Sequence, residues 1–163
     1  DRVSGLAVLS ADIGSVSDGT KESLTTAELG SSSASLVTGQ LVIAAGRPIG
    51  TSGSIAYGMI TSADGDLAVI DSGFKQLTTD ISGSKQASGV LINAGGQVVG
   101  ILDHRHARSD LSGILYAIGI TECKQLIEKL SAGGEKAYLG VQCTDVPEDV
   151  RKNGFRILIS LPE

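Results

Sequence analysis

Residues 88–102 read SGVLINAGGQVVGIL, and this stretch decides the fold class. Two short runs rich in Val, Ile and Leu flank the sequence Asn-Ala-Gly-Gly at 93–96. Gly-rich turns between short apolar runs of this kind are typical of β-hairpins. The sequence therefore predicts a hairpin with strands at 88–93 and 97–102.

Similar apolar runs recur on both sides of this hairpin, separated by Gly, Ser, Asp or Asn. They lie at 6–9, 40–46, 54–62, 66–71 and 113–120. Short runs at this spacing predict an antiparallel barrel or sandwich.

Gly46–Gly50 is interpreted as a turn, since it lacks the phosphate-loop pattern and opens no helix. Asp64-Gly65-Asp66 is interpreted as a hairpin turn, since the twelve-residue calcium pattern does not follow. GSSSAS at 30–35 is interpreted as a surface loop.

One helix is predicted, in the segment ITECKQLIEKLSAGG at 120–134. Thr121 is the predicted N-cap, and Gly133 and Gly134 form the stop. Spacings of three and four place one apolar face on Cys123, Leu126, Ile127 and Leu130. The composition changes after this helix, so a domain boundary is predicted near 131–136.

Composition excludes several functions. The chain has 163 residues, 41% of them apolar, 22 glycines and a net charge of −5. Nucleic-acid binding is not expected, because phosphate contacts need clustered Lys and Arg. No uncharged apolar stretch approaches the roughly 18 residues of a membrane span, so any membrane attachment would come from segments outside this chain.

No cofactor or metal is expected. Cys123 and Cys143 have neither CxxC spacing nor a disulfide framework, so both are interpreted as small buried hydrophobes. His104 and His106 could form a weak metal site with Asp103 and Asp110. An exposed charged loop is preferred, because no further Cys or His completes the ligand set.

The order of several segments resembles the HtrA/DegP family, trypsin-like serine proteases followed by PDZ domains. The segment AELGSSSASLVTGQLVIAAGRPIG is similar to the family's entry into its second β-barrel, and SIAYGMITS to the strand that follows. LTTDISGSKQASGVLINAGGQVVGI resembles the family's serine segment, and GILYAIGITECKQLIEKL the last strand and helix before the PDZ domain. AYLGV resembles the opening of that domain.

The resemblance implies a mainly β fold: a trypsin-like, antiparallel six-stranded barrel, corresponding to the second barrel of the chymotrypsin fold. A C-terminal helix and an incomplete PDZ domain would follow it. Residues 1–12 would be the last strand of an otherwise absent first barrel plus a linker. Residues 13–132 would form the second barrel with its helix, and 133–163 the start of the PDZ domain.

The family's activity rests on a His, an Asp and a Ser in that chain order. An imidazole takes the proton of the hydroxyl, a carboxylate orients that imidazole, and backbone amides stabilise the oxyanion. The Asp segment matches SGLAVL at 4–9, where Gly5 occupies the Asp position. Glycine cannot orient an imidazole, so this position is interpreted as degenerate.

The Ser position has two candidates. Counting backward from Leu91-Ile92-Asn93 places the family serine on Ala87, and counting forward from Thr79-Asp80 places it on Ser88. The backward count is favoured, because strand register is harder to shift than loop length. In either case the oxyanion glycine is replaced by Lys85 or Gln86.

No histidine precedes the Asp segment. His104 and His106 follow the serine segment, where they are expected to lie on the wrong side of the fold. The favoured hypothesis is therefore a fragment of a pseudoprotease with a peptide-binding or regulatory role. One alternative is an active HtrA-type endopeptidase whose His and Asp lie outside this chain, with Ser88 as nucleophile. Another is a structural scaffold that serves oligomerisation.

Partners and location follow from the same resemblance. Tyr138, Leu139, Gly140 and Val141 match the PDZ loop that receives a peptide C-terminus. The expected ligands are peptides or unfolded protein termini, and the parent is expected to be trimeric. The resemblance also implies an extracytoplasmic bacterial location, with a membrane-anchored parent.

Overall fold

The computed structural model describes residues 1, 4–33, 36–69, 72–106 and 113–134. Its centre is a closed antiparallel barrel of six strands, in the order β1-β2-β3-β6-β5-β4. A helix packs against the barrel after the last strand. The predicted mainly β, trypsin-like barrel with a C-terminal helix is confirmed.

Six strands form the barrel. They are β1 (Leu41–Arg47), β2 (Ser54–Val69), β3 (Ser72–Ser82), β4 (Ser88–Asn93), β5 (Val98–Leu102) and β6 (Ile114–Gly119). In the described ranges they are accompanied by a short 3-10 helix at Ile13–Ser15 and by two α-helices, α1 (Asp18–Ser23) and α2 (Ile120–Ser131). No helix in these ranges combines the length and apolarity needed to cross a membrane.

The hairpin of β4 and β5 is present as predicted. Asn93 donates its backbone N–H to Gln97 at 2.9 Å, and Gly96 donates to the carbonyl of Asn93 at 3.0 Å. The Asn93 side chain closes the turn further, because its Oδ1 accepts from Gly95 and Gln97. Gly96 has φ +81°, a backbone conformation that glycine adopts without steric cost.

The long hairpin of β2 and β3 differs from the prediction. The run at 66–71 is not a separate strand, since β2 continues through it to Val69. Asp64-Gly65-Asp66 is not a turn but part of β2, next to a register shift between Ser62 and Gly65. Strand β3 was absent from the predicted strands, because its polar residues break the apolar runs. Of the turn predicted at Gly46–Gly50, the part after β1 is present, where the Gly50 N–H donates to the Arg47 carbonyl; Gly46 itself lies in β1.

Two apolar clusters hold the fold together. The first fills the barrel and takes residues from every strand, including Val42, Ala44, Ile60, Leu77, Leu91, Val99 and Ala117. The second lies between the barrel wall and α2 and comprises Phe74, Val98, Ile118, Ile120, Cys123 and Leu126. Because the barrel closes on itself, none of its six strands is left as an unpaired edge.

Helix α2 begins two residues earlier than the predicted N-cap implies, at Ile120. Gly119, not Thr121, is its N-cap residue. The Thr121 hydroxyl instead accepts from the backbone N–H of Ser32 at 2.8 Å, and the Ser32 hydroxyl accepts from the Thr121 N–H. Ser32 is therefore buried, although a surface loop was predicted for 30–35. The helix ends as predicted, followed by Gly133 at φ +72°.

The N-terminal run at 6–9 is not a strand. It lies outside helices and strands, and Val8 and Leu9 are exposed. None of the described strands pairs with it. The segment is held instead near its start, where Asp1 Oδ2 accepts from the Ser4 N–H and hydroxyl at 2.9 and 2.6 Å.

Candidate functional site

The loop between β3 and β4 is fixed by backbone hydrogen bonds to neighbouring segments. Gly83 N–H donates to the Gly113 carbonyl at 2.9 Å, and Ser84 N–H donates to the Pro48 carbonyl at 2.9 Å. Pro48 is buried, so this second anchor is protected from water. The loop therefore holds Lys85, Gln86 and Ala87 in a defined turn rather than as a free connection.

The two candidate serine positions point in opposite directions. The Ala87 side chain is 3% exposed and belongs to the apolar cluster inside the barrel. Ser88 begins β4 and is exposed. The alternation of side chains along a strand accounts for the difference. Of this pair, only Ser88 presents an atom to a ligand in solution, whichever position corresponds to the family serine.

Strands β1 and β4 approach each other closely beside Ser88. Gly46 and Gly89 are direct cross-strand partners, with φ values of +122° and +131°. A Cβ on Gly46 would lie 2.9 Å from the Gly89 Cα, and one on Gly89 would overlap the Ala45 carbonyl. Both positions therefore require glycine, a constraint that reading the apolar runs alone did not reveal.

His104 lies beside the candidate serine loop, contrary to expectation. Its Nδ1 is 3.2 Å from the carbonyl oxygen of Ala87. Since a carbonyl oxygen only accepts, Nδ1 must carry the proton, and Nε2 of the neutral ring keeps its lone pair. The ring is thus fixed to the backbone one residue before Ser88. The prediction that this histidine lies on the wrong side of the fold is wrong.

His106 is held by a buried carboxylate. Its Nδ1 donates to Asp103 Oδ2, and the Asp103 side chain is 5% exposed. The second oxygen, Oδ1, accepts from the Arg105 N–H at 3.1 Å. Gln76 Nε2 donates to the His106 carbonyl at 2.9 Å, which ties the loop to β3. Asp103 therefore shapes the loop after β5 and has both oxygens occupied.

The proposed Asp position is filled by a cation. The guanidinium of Arg105 lies where a side chain on Gly5 would start, so that a Cβ there would overlap it. Gly5 has φ +68°, a left-handed conformation that favours glycine. A carboxylate cannot be accommodated at this position without moving Arg105.

The amide of Gln86, one of the two candidate oxyanion residues, is already engaged within the turn, as is the amide of Ala87. Gln86 N–H donates to Ser84 Oγ at 3.1 Å, and Ala87 N–H donates to the Ser84 carbonyl at 3.0 Å. An oxyanion hole needs free N–H groups aimed at the developing charge. Both N–H groups are bonded to Ser84 within the turn, so neither is free to donate to a substrate.

The parts that would activate Ser88 are not assembled within the described ranges. Its hydroxyl forms no hydrogen bond to an imidazole there, nor to any other group. The same ranges contain no group of three or more His, Cys, Asp and Glu side chains placed to hold a metal ion. A serine hydroxyl without a base behind it is a weak nucleophile. The arrangement can present hydrogen-bond donors and cations to a ligand.

Cys123 is buried, as predicted. Burial, with a smaller contribution from the charge of Glu122, raises the pKa of its thiol to about 12. At neutral pH the group is therefore an unreactive thiol within the cluster between α2 and the barrel. Cys143 and the proposed peptide-binding residues Tyr138, Leu139, Gly140 and Val141 lie outside the described residues.

Three curated proteases illustrate the sequence similarity. Serine protease Do-like HtrB of Bacillus subtilis is 32% identical over 133 residues, which is 74% of this chain and 29% of that protein. Serine protease Do-like HtrA of the same bacterium is 31% identical over 130 residues, which is 74% of this chain and 29% of that protein. A protein named "Probable periplasmic serine endoprotease DegP-like" from Pseudomonas savastanoi is 32% identical over 134 residues, with coverages of 80% and 28%. The chain thus spans about 30% of the length of these relatives.

Solved structures of HtrA-type proteases share the fold. AlgW with a decapeptide superposes with a TM-score of 0.55 at 20% identity, over 77% of this chain and 40% of that one. A variant of AlgW with a decapeptide gives 0.59 at 23% identity, with coverages of 76% and 39%. No protein-family model matches the chain. The closed barrel with its C-terminal helix, together with these similarities, makes this chain an HtrA-like protein of the trypsin fold.

Proposed function

We propose that this chain is the second barrel of a proteolytically inactive HtrA-like protein that holds extended peptides without cleaving them. In this proposal Ala87 and Gly5 are the degenerate Ser and Asp positions, and Lys85 and Gln86 replace the oxyanion glycine. Peptide binding is supported by the related proteases that were solved with peptides.

The Arg105–Gly5 contact is the observation that carries the proposal. In a serine protease, a carboxylate orients the imidazole that activates the hydroxyl. Here a guanidinium occupies the space next to Gly5. It would repel an imidazolium as that ring gained its proton, which is the opposite of what catalysis requires. The engaged amides of Gln86 and Ala87 support the same conclusion.

The proposal is tested by measuring cleavage and binding separately. The longer parent protein is incubated with fluorescein-labelled casein and with a fluorophosphonate probe, beside its Ser88→Ala and Ala87→Ser variants. We expect no casein turnover and no labelling of the unmodified parent, while the anisotropy of the labelled casein rises on binding. Labelling of the unmodified parent that disappears in Ser88→Ala would contradict inactivity. Absence of casein binding would contradict the peptide-holding role.

The wider architecture belongs to this proposal. Residues 1–12 would connect from a first barrel, 13–132 form the second barrel, and 133–163 begin a PDZ domain whose carboxylate loop is 138–141. The parent would act outside the cytoplasm, anchored to a bacterial membrane and assembled as a trimer. The periplasmic location in the name of one relative supports the compartment.

The exposed hydroxyl of Ser88 favours a second candidate function. An active endopeptidase could place this hydroxyl beside a His and an Asp supplied from outside the chain. The named relatives are serine proteases, which supports this alternative. Activity of a longer parent that is lost in Ser88→Ala, with the fold intact, would establish it.

A further inference from the structure

Arg47 flanks Ser88 on the outer surface of the barrel. The two residues are direct partners in the antiparallel pair of β1 and β4. Side chains of such partners project from the same face of the sheet, with Cβ atoms about 5 Å apart. Both residues are exposed, and Arg47 Nε is fixed by donating to the Gly50 carbonyl. A ligand that reaches the Ser88 hydroxyl therefore meets this guanidinium.

Two further basic groups approach from the neighbouring loops. Lys85 is exposed in the turn before Ser88 and forms no ion pair with a carboxylate in the described ranges. His104 is tied to the Ala87 carbonyl from the other side. The guanidinium of the next residue, Arg105, lies against Gly5. We call Arg47, Lys85 and Arg105 the basic rim.

Neither Asp103 nor Asp80 neutralises the basic rim. Asp103 is buried, accepts from His106 and lies 3.9 Å from Arg105 Nε, so it offsets at most the innermost cation. Asp80 accepts from the Met59 N–H, and Met59 pairs with Leu41 at the far end of β1. At about 3.3 Å per residue, that end lies roughly 20 Å along the strand from Arg47.

We propose that the basic rim selects extended peptides that carry Asp or Glu side chains. The inference rests on the proposed peptide-binding function and specifies the chemistry of its ligand. The whole chain has a net charge of −5, which opposes acidic ligands at long range. However, charges beyond about 10 Å are largely screened at 0.1 M salt. Close to Ser88, the basic rim therefore makes the electrostatic interaction with an acidic peptide attractive.

Binding is tested with three fluorescein-labelled peptides of equal length, alternating Val with Glu, Gln or Lys, by fluorescence anisotropy. Because each exposed ion pair contributes only a modest amount, we expect the Glu peptide to bind about five- to tenfold more tightly than the Gln peptide. The Lys peptide should bind most weakly. The preference should shrink when salt is raised from 50 to 300 mM.

Matched variants test which basic residues cause the preference for the Glu peptide. Arg47→Gln combined with Lys85→Gln should remove the advantage of the Glu peptide, while Lys124→Gln combined with Lys129→Gln on α2 should keep it. Lys85→Gln alone is the variant least expected to disturb folding, since that side chain makes no described ion pair. Its expected effect is a loss of about two- to fivefold for the Glu peptide only.

The outcomes separate this inference from the function on which it rests. Equal binding of the Glu and Gln peptides would overturn the acidic preference and leave peptide binding intact. A Glu preference that survives in the rim variant and disappears in the α2 variant would also overturn it. Failure of all three peptides to bind would overturn both proposals.

Discussion

The guanidinium of Arg105 lies against the backbone of Gly5, in the space where a side chain at position 5 would begin. This contact couples the N-terminal segment to the loop after β5. It also connects two residues that are distant in sequence and that no apolar pattern relates.

A double-mutant cycle tests the contact. Gly5→Ala should lower the free energy of unfolding by about 1–2 kcal/mol for the left-handed conformation alone, plus the cost of displacing Arg105. In an Arg105→Ala background the second cost disappears, so the two substitutions should be non-additive by more than 0.5 kcal/mol, an order-of-magnitude expectation for contacting residues. Urea denaturation of the four proteins measures it. Additive effects would mean that the two residues do not touch.

The position of His104 predicts its tautomer. Because Ala87 offers a carbonyl oxygen, the neutral imidazole should carry its proton on Nδ1. Long-range nitrogen–proton NMR correlations on nitrogen-15-labelled protein distinguish the two tautomers directly. His106 serves as an internal comparison, since its Nδ1 donates to Asp103. A protonated Nε2 with a bare Nδ1 on His104 would contradict the assigned hydrogen bond.

The proximity of His104 to Ala87 could not be predicted from the sequence. In the β4–β5 pair, Leu91 lies opposite Gly100 and Val90 opposite Ile101. Continuing this register leads to Ala87 opposite His104. The turn at 93–96 predicted the hairpin, but a register shift between Leu91 and Ile92 fixes which residues face each other. Such a bulge has no apolar signature.

Strand β3 shows why another part of the fold was missed. The apolar runs predicted its neighbours, but β3 contains buried polar residues that interrupt the pattern. Thr79 is 1% exposed, and its burial depends on a hydrogen bond to the Leu115 carbonyl, 36 residues away. Long-range partners of this kind are invisible to local periodicity.

Thr79 should accordingly be sensitive to loss of its hydroxyl. Its Oγ1 donates to the Leu115 carbonyl at 2.9 Å and accepts from the Ile81 N–H at 3.2 Å. Thr79→Val keeps the shape but leaves both groups unpaired in the core, which should cost about 1–3 kcal/mol of unfolding free energy. Thr79→Ser should recover part of that loss. Equal stability of the Val variant and the original chain in urea would show that the bond contributes nothing.

Cys123 should make the fold sensitive to alkali. Burial raises the pKa of its thiol from 9.0 to about 12, so the folded state keeps a proton that the unfolded chain releases above pH 9. The unfolded state then binds fewer protons, and stability falls as pH rises through this window, by about 1 kcal/mol between pH 8 and 10. Cys123→Ala should reduce that fall, although it lowers stability at pH 7 by leaving a small cavity. Urea denaturation of both proteins at pH 7, 8, 9 and 10 measures the difference. A fall of the same size in both would show that the thiol titrates alike in the folded and unfolded states.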